Sequence, residues 1–187
     1  MSGTTCFQPS RLAPAFKAAR GYAVCLLLVL GAGMGGSAWA QLAADDPDWK
    51  ESEVPPPPTV DFGQLVTFDG AVNSSLVYGV DPASLMISSS DSLVRYVLVA
   101  TSASGAKNVM YEAIRCATGE FKTYARYTSE GRWRPVSDAG WRSMFGTLPS
   151  KHALYFARAG ACDNAATPTS VNALVYRLKH PNRKDLL

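Results

Sequence analysis

From Gln64 onward the chain alternates short apolar runs with turn residues, and the runs are rich in β-branched and aromatic side chains. Residues 65–68, 76–78, 85–88, 93–101, 109–118 and 121–128 therefore read as strands. Asp81-Pro82, the stretch 88–91 (SSSD) and Ser104-Gly105 supply turn chemistry between them. Connections this short favour hairpins over crossovers, so the predicted sheet is antiparallel. After Pro135 the pattern changes. Ser137 or Asp138 is placed to cap a short helix through Trp141, Met144 and Phe145, stopped by Gly146 and Pro149. Residues 151–158 (KHALYFAR) alternate around Leu154 and Phe156, which favours a strand, although the alanines also suit a helix. Thr169 or Ser170 caps a last helix in which Val171, Leu174, Val175 and Leu178 follow the i, i+3, i+4, i+7 rule before Pro181. The expected fold class is α+β: an antiparallel sheet of about six strands, two or three mainly C-terminal helices against one face, and one disulfide.

Upstream of the sheet the composition divides the chain. Arg11, Lys17 and Arg20 precede an apolar segment at 22–30, and Ala38-Trp39-Ala40 forms an A-x-A cleavage site, so residues 1–40 read as a signal peptide. The competing uncleaved anchor is opposed by the glycines of the segment and by that cleavage site. Export to the periplasm follows, with no membrane span after cleavage. Residues 41–62 form an acidic, proline-rich arm in which Pro55 to Pro58 are set for a polyproline II spacer, with Trp49 tucked against it. Residues 63–187 are then left for a single globular domain.

Charge sharpens this division. The formal net charge is +3, and the three leader bases account for it, so the remainder is neutral. That neutrality conceals one base against nine acids in residues 41–94, and 14 bases against six acids in residues 95–187. Either the two poles neutralise each other across one fold, or the basic part keeps a face for an anionic partner. With Cys6 and Cys25 in the leader, Cys116 and Cys162 remain, and an even pair in an oxidising compartment implies a structural disulfide.

Catalytic and cofactor motifs are sparse. His152 and His180 are the sole histidines, and no H-E-x-x-H, C-x-x-C or C-x-x-C-H pattern stands in the chain beyond the leader, so neither metal nor haem has a recognisable ligand set. Residues 101–106 (TSASGA) lack the glycine that a nucleophile elbow needs before its serine. No glycine-rich phosphate loop follows a strand. No cofactor or nucleic-acid partner is expected, and the enzymatic alternative is an envelope hydrolase using His152 or a carboxylate pair.

The segments DDPDWKESEVPPPP (45–58), GVDPASL (79–85), VRYVLVATSASGAKNVMYE (94–112) and IRCATGEFKTYARY (114–127) resemble the cryptic neisserial protein 1-like family of small exported proteobacterial proteins. The resemblance covers most of residues 45–162 and is looser beyond. It implies an envelope location and a shared fold, and it carries over no activity, cofactor or site residues.

The most charged part of this stretch is the hairpin 111–127. A period of two puts Met110, Glu112, Ile114 and Cys116 on one side of their strand, so Glu112 falls among core residues and needs a partner. Arg95 is the candidate, as a buried ion pair. Arg115, Lys122, Tyr124 and Arg126 would project together from the other side, with Arg132 and Arg134 following. Arginine's planar fork suits carboxylate, phosphate or sulfate groups. The leading functional expectation is therefore a non-catalytic binding or accessory domain, with this basic-aromatic face meeting an anionic envelope component or another envelope protein.

Overall fold

The computed structural model describes residues 46–70 and 74–181, all within the unit that spans 41–187. The signal-peptide reading falls on residues 1–40, outside the described residues.

Eight strands form one antiparallel sheet: β1 Val66–Phe68, β2 Leu76–Val80, β3 Met86–Ser88, β4 Leu93–Ser102, β5 Lys107–Arg115, β6 Glu120–Tyr127, β7 Trp133–Pro135 and β8 Arg142–Ser143. The main order is β1-β2-β4-β5-β6-β7. β2 and β3 lie in line along one edge of β4, with Asp81 capping the 3-10 turn Pro82–Ser84 between them. β7 and β8 likewise share the outer edge of β6. The six strands read from sequence are present, and β7 and β8 are additional. Every residue of β4 from Leu93 to Ala100 is buried. A near-continuous apolar strand of this kind needs cover on both faces of its sheet.

One cover is helical. α1 (His152–Phe156) opens into a wider turn, Ala157–Ala161, and α2 (Val171–Lys179) follows. Phe156, Leu174 and Leu178 pack on Tyr96, Leu98 and Ile114. The N-terminus of α2 is capped as expected, with Ser170 Oγ accepting from the amide of Ala173 at 3.1 Å. Two expectations are corrected here. Residues 151–158 begin a helix rather than a strand, because His152, Ala153, Phe156 and Ala157 bury one helical face and the alanines let it approach the sheet closely. The segment 137–145 is not helical: Arg142 and Ser143 pair with the edge of β6, and the amide of Met144 donates to Gly119 O at 2.9 Å. Gly140 weakens the helical alternative, while the edge of β6 offers backbone partners.

The other cover is the arm. Residues 46–62 run without regular strand or helix across the second face. Val54 and Val60 pack against the cluster of Val97, Val99, Val109 and Tyr111. Trp133 Nε1 donates to Pro58 O at 3.0 Å.

Cys116 and Cys162 are joined, tying the end of β5 to the end of the wide turn after α1. The bridge spans 46 residues, and closing a loop of that size stabilises by about 4 kcal/mol in the chain-entropy model. Replacing both cysteines by alanine is expected to lower the unfolding free energy by about that amount in urea titrations; a loss below about 1 kcal/mol would show the bridge to be dispensable.

Candidate functional site

The arm brings acids onto the basic half of the chain. Glu51 sits over β6 and receives three donors: Lys122 Nζ at 2.8 Å, Tyr124 OH at 2.6 Å and Trp141 Nε1 at 3.3 Å. Arg115 stacks over the Trp49 ring at 3.9 Å, its Nη1 lying 3.8 Å from Glu120. Deeper, Arg95 Nη2 donates to Asp91 Oδ2 at 2.7 Å and to Ser52 Oγ at 3.3 Å. Asp91 Oδ2 also accepts from the amide and hydroxyl of Ser52, and Trp49 Nε1 donates to Asp91 O. The two charge poles of the sequence thus meet across this face, and its carboxylate ligand is the chain's own.

A register shift alters which cations share it. Tyr111 pairs with Ala125 and Glu112 with Thr123, so Tyr124 is an extra residue on β6. This bulge reverses the alternation. Lys122 and Tyr124 stay with Arg115 under the arm, whereas Arg126 turns to the opposite side, where Nη1 meets Asn108 Oδ1 at 3.5 Å. Arg126 stands directly opposite Arg134 of β7, and both are exposed. No acid pairs with either among the described residues. Arg132 is paired instead with Glu130 at 3.6 Å. A composition-based reading has no access to a bulge, nor to Trp49, Ser52, Asp91 and Trp141 as partners of this face.

The expected pairing of Arg95 with Glu112 does not form. Tyr96, not Arg95, stands opposite Glu112, while Arg95 stands opposite Ala113 and points to the arm face. Fully buried Glu112 instead accepts from Thr123 Oγ1 at 2.7 Å and Tyr96 OH at 3.1 Å, and contacts His152 Nε2 at 2.9 Å. His152 Nδ1 lies 2.9 Å from Ser150 Oγ. Burial opposes ionisation of Glu112, but the charge and hydrogen bond of His152, with those of Thr123 and Tyr96, outweigh it and lower its pKa. An ionised Glu112 only accepts, so Nε2 carries a proton.

Asp91 follows the same logic. Burial raises its pKa, and hydrogen bonds from Arg95, Ser52 and Ser88 overcome that, leaving it well below the ordinary 3.8. Burial, then the bond and charge of Glu51, push the Tyr124 phenol up. A depressed folded pKa means that Asp91 stabilises the fold above the ordinary carboxylate range, and the contribution is lost as pH falls through the folded value. Asp91→Asn is expected to cost about 3 kcal/mol at neutral pH. The gap to wild type should begin to narrow as pH falls below about 4, where the carboxylate of the unfolded chain takes up its proton while the folded one, with its lowered pKa, does not. A gap independent of pH in denaturant titrations would refute the ionic role.

Among the described residues no cluster of three or more His, Cys, Asp or Glu side chains is arranged for a metal. Neither the curated proteins nor the solved structures contain a match to this chain. The CNP1-like family model does match, over residues 44–179, which takes in the arm, the whole sheet and both helices. The chain belongs to the CNP1-like family.

Proposed function

We propose that the protein is a non-catalytic periplasmic binding or accessory domain that meets an anionic component of the cell envelope through Arg126 and Arg134. One observation carries this reading. The register of β6 and β7 sets these two exposed arginines side by side, without an acidic partner among the described residues. Like charges directly opposite on a sheet destabilise it, and a bridging phosphate or carboxylate converts that repulsion into two charge-assisted contacts. The Lys122, Tyr124 and Trp141 cradle is a poorer ligand site, because tethered Glu51 competes at high effective concentration.

Each exposed cation near an anionic surface contributes about 1 kcal/mol. The double substitution Arg126→Ala and Arg134→Ala is therefore expected to weaken retention on isolated envelope fractions at low salt by roughly tenfold or more. Lys122→Ala should leave retention unchanged. Equal retention of the double variant and the wild type would end this reading.

A second reading rests on the hydrogen-bonded series Ser150, His152, Glu112, in which a histidine sits between a hydroxyl and a buried carboxylate as in an acyl-transfer triad. Ser150 also accepts from the amide of His152 at 3.4 Å and contacts Tyr78 OH at 3.4 Å, the contacts of a structural turn. A fluorophosphonate probe separates the two: labelling of wild type that disappears in Ser150→Ala supports the nucleophile, and an unlabelled wild type dismisses it.

A further inference from the structure

A cavity of about 360 Å³ opens beside the disulfide, between the β5 to β6 turn and the helical layer. Its size is at the low end for sites that enclose a small organic molecule. Met144, Phe145, Leu154 and Ala159 give it apolar walls next to the Cys116 and Cys162 sulfurs. Phe145 is 64% exposed at its rim. The charged side chains lining it are Arg158, Arg177 and Asp163, a net single positive charge.

Two glycines shape these walls. Gly160 has φ +140°, and a Cβ there would fall 2.7 Å from Arg177 Cβ, so only glycine lets the stem of Arg177 lie against the turn. Gly119 has φ +66°, and its missing side chain leaves the space into which the Phe145 ring settles. Arg177 Nη2 donates to Asp163 Oδ2 at 3.0 Å, while its buried Nε has no partner among the described residues. Leaving a buried N–H unsatisfied costs about 1–3 kcal/mol.

We propose that this cavity binds an anionic amphiphile, a single acyl chain ending in a carboxylate or phosphate ester, with its head on Arg177 and its chain between Phe145, Leu154 and Ala159. An inorganic anion leaves the apolar walls wet, and a neutral chain leaves the net positive charge of the lining without a counter-charge. An amphiphile meets both demands. The site shares no residue with Arg126 and Arg134, so it stands independently of the surface reading.

The test is an amide-resolved NMR titration of the protein with decanoate below its micelle concentration. Shifts confined to Met144, Phe145, Leu154, Gly160, Arg177 and their neighbours are expected, with decanol binding about tenfold more weakly for want of the charge-assisted bond. Arg177→Gln should weaken decanoate by about the same factor. Ala159→Trp fills the cavity without removing either arginine and should abolish the shifts, whereas the Arg126→Ala and Arg134→Ala double variant should keep them. Lysophosphatidylglycerol run in parallel assigns the source of the chain: tighter binding than decanoate marks a membrane lipid, weaker binding a free fatty acid, and either supports the site. Decanol binding as tightly as decanoate, decanoate shifts that persist in Ala159→Trp, or no shift with either anion would overturn the proposal.

Discussion

Arg95 is the constraint around which one side of the molecule is organised. It lies in the most buried strand and is itself 1% exposed. A charge there survives only if it is paired and hydrogen-bonded. Asp91 supplies the opposite charge from the turn before β4, and Ser52 supplies hydrogen bonds to Asp91 and Arg95 from the arm. Removing the arm would therefore expose apolar surface and also strip a buried ion pair of the hydrogen bonds it makes with Ser52. That need explains why a segment without strand or helix nevertheless has a fixed course. Trp49, Glu51, Ser52 and Pro58 each hold one point of it.

The arm's composition suits this work. A conventional strand would bring a full set of amide donors to the sheet face, where they would need acceptors. Pro55 to Pro58 bring none. Valines at positions 54 and 60 supply apolar contact on either side of the prolines. The change of composition at residue 62 is consequently no boundary in packing, because the arm completes the second core cluster.

Local chemistry was readable wherever it decided the outcome locally. Hydrophobic runs with turn residues between them marked β1 to β6, and Ser170 with the spacing of Val171 to Leu178 marked α2. Cysteine arithmetic marked the bridge. What sequence did not carry was the outcome of competition between elements. KHALYFAR is compatible with two periods, and the sheet it packs on chose the helical one. The tract around Gly140 and Trp141 lost its helix to an available strand edge. A period-two reading sorted Glu112 to the core side but said nothing of register, so it paired Glu112 with Arg95 where the sheet gives it His152, Thr123 and Tyr96. The bulge at Tyr124 had the same invisibility, and it alone separates Arg126 from Lys122.

The order of events along the chain gives the arm one more meaning. Trp49, Glu51, Ser52 and Pro58 find their partners 39 to 90 residues downstream. None of those partners exists when the arm first leaves the ribosome. Contacts so distant in sequence come late, after the loop-closure cost has been met by the hairpins between. Until then the arm's acids remain hydrated and its prolines keep it extended. The arm emerges before the sheet and is seated after it, and Arg95 stays open to water until it arrives.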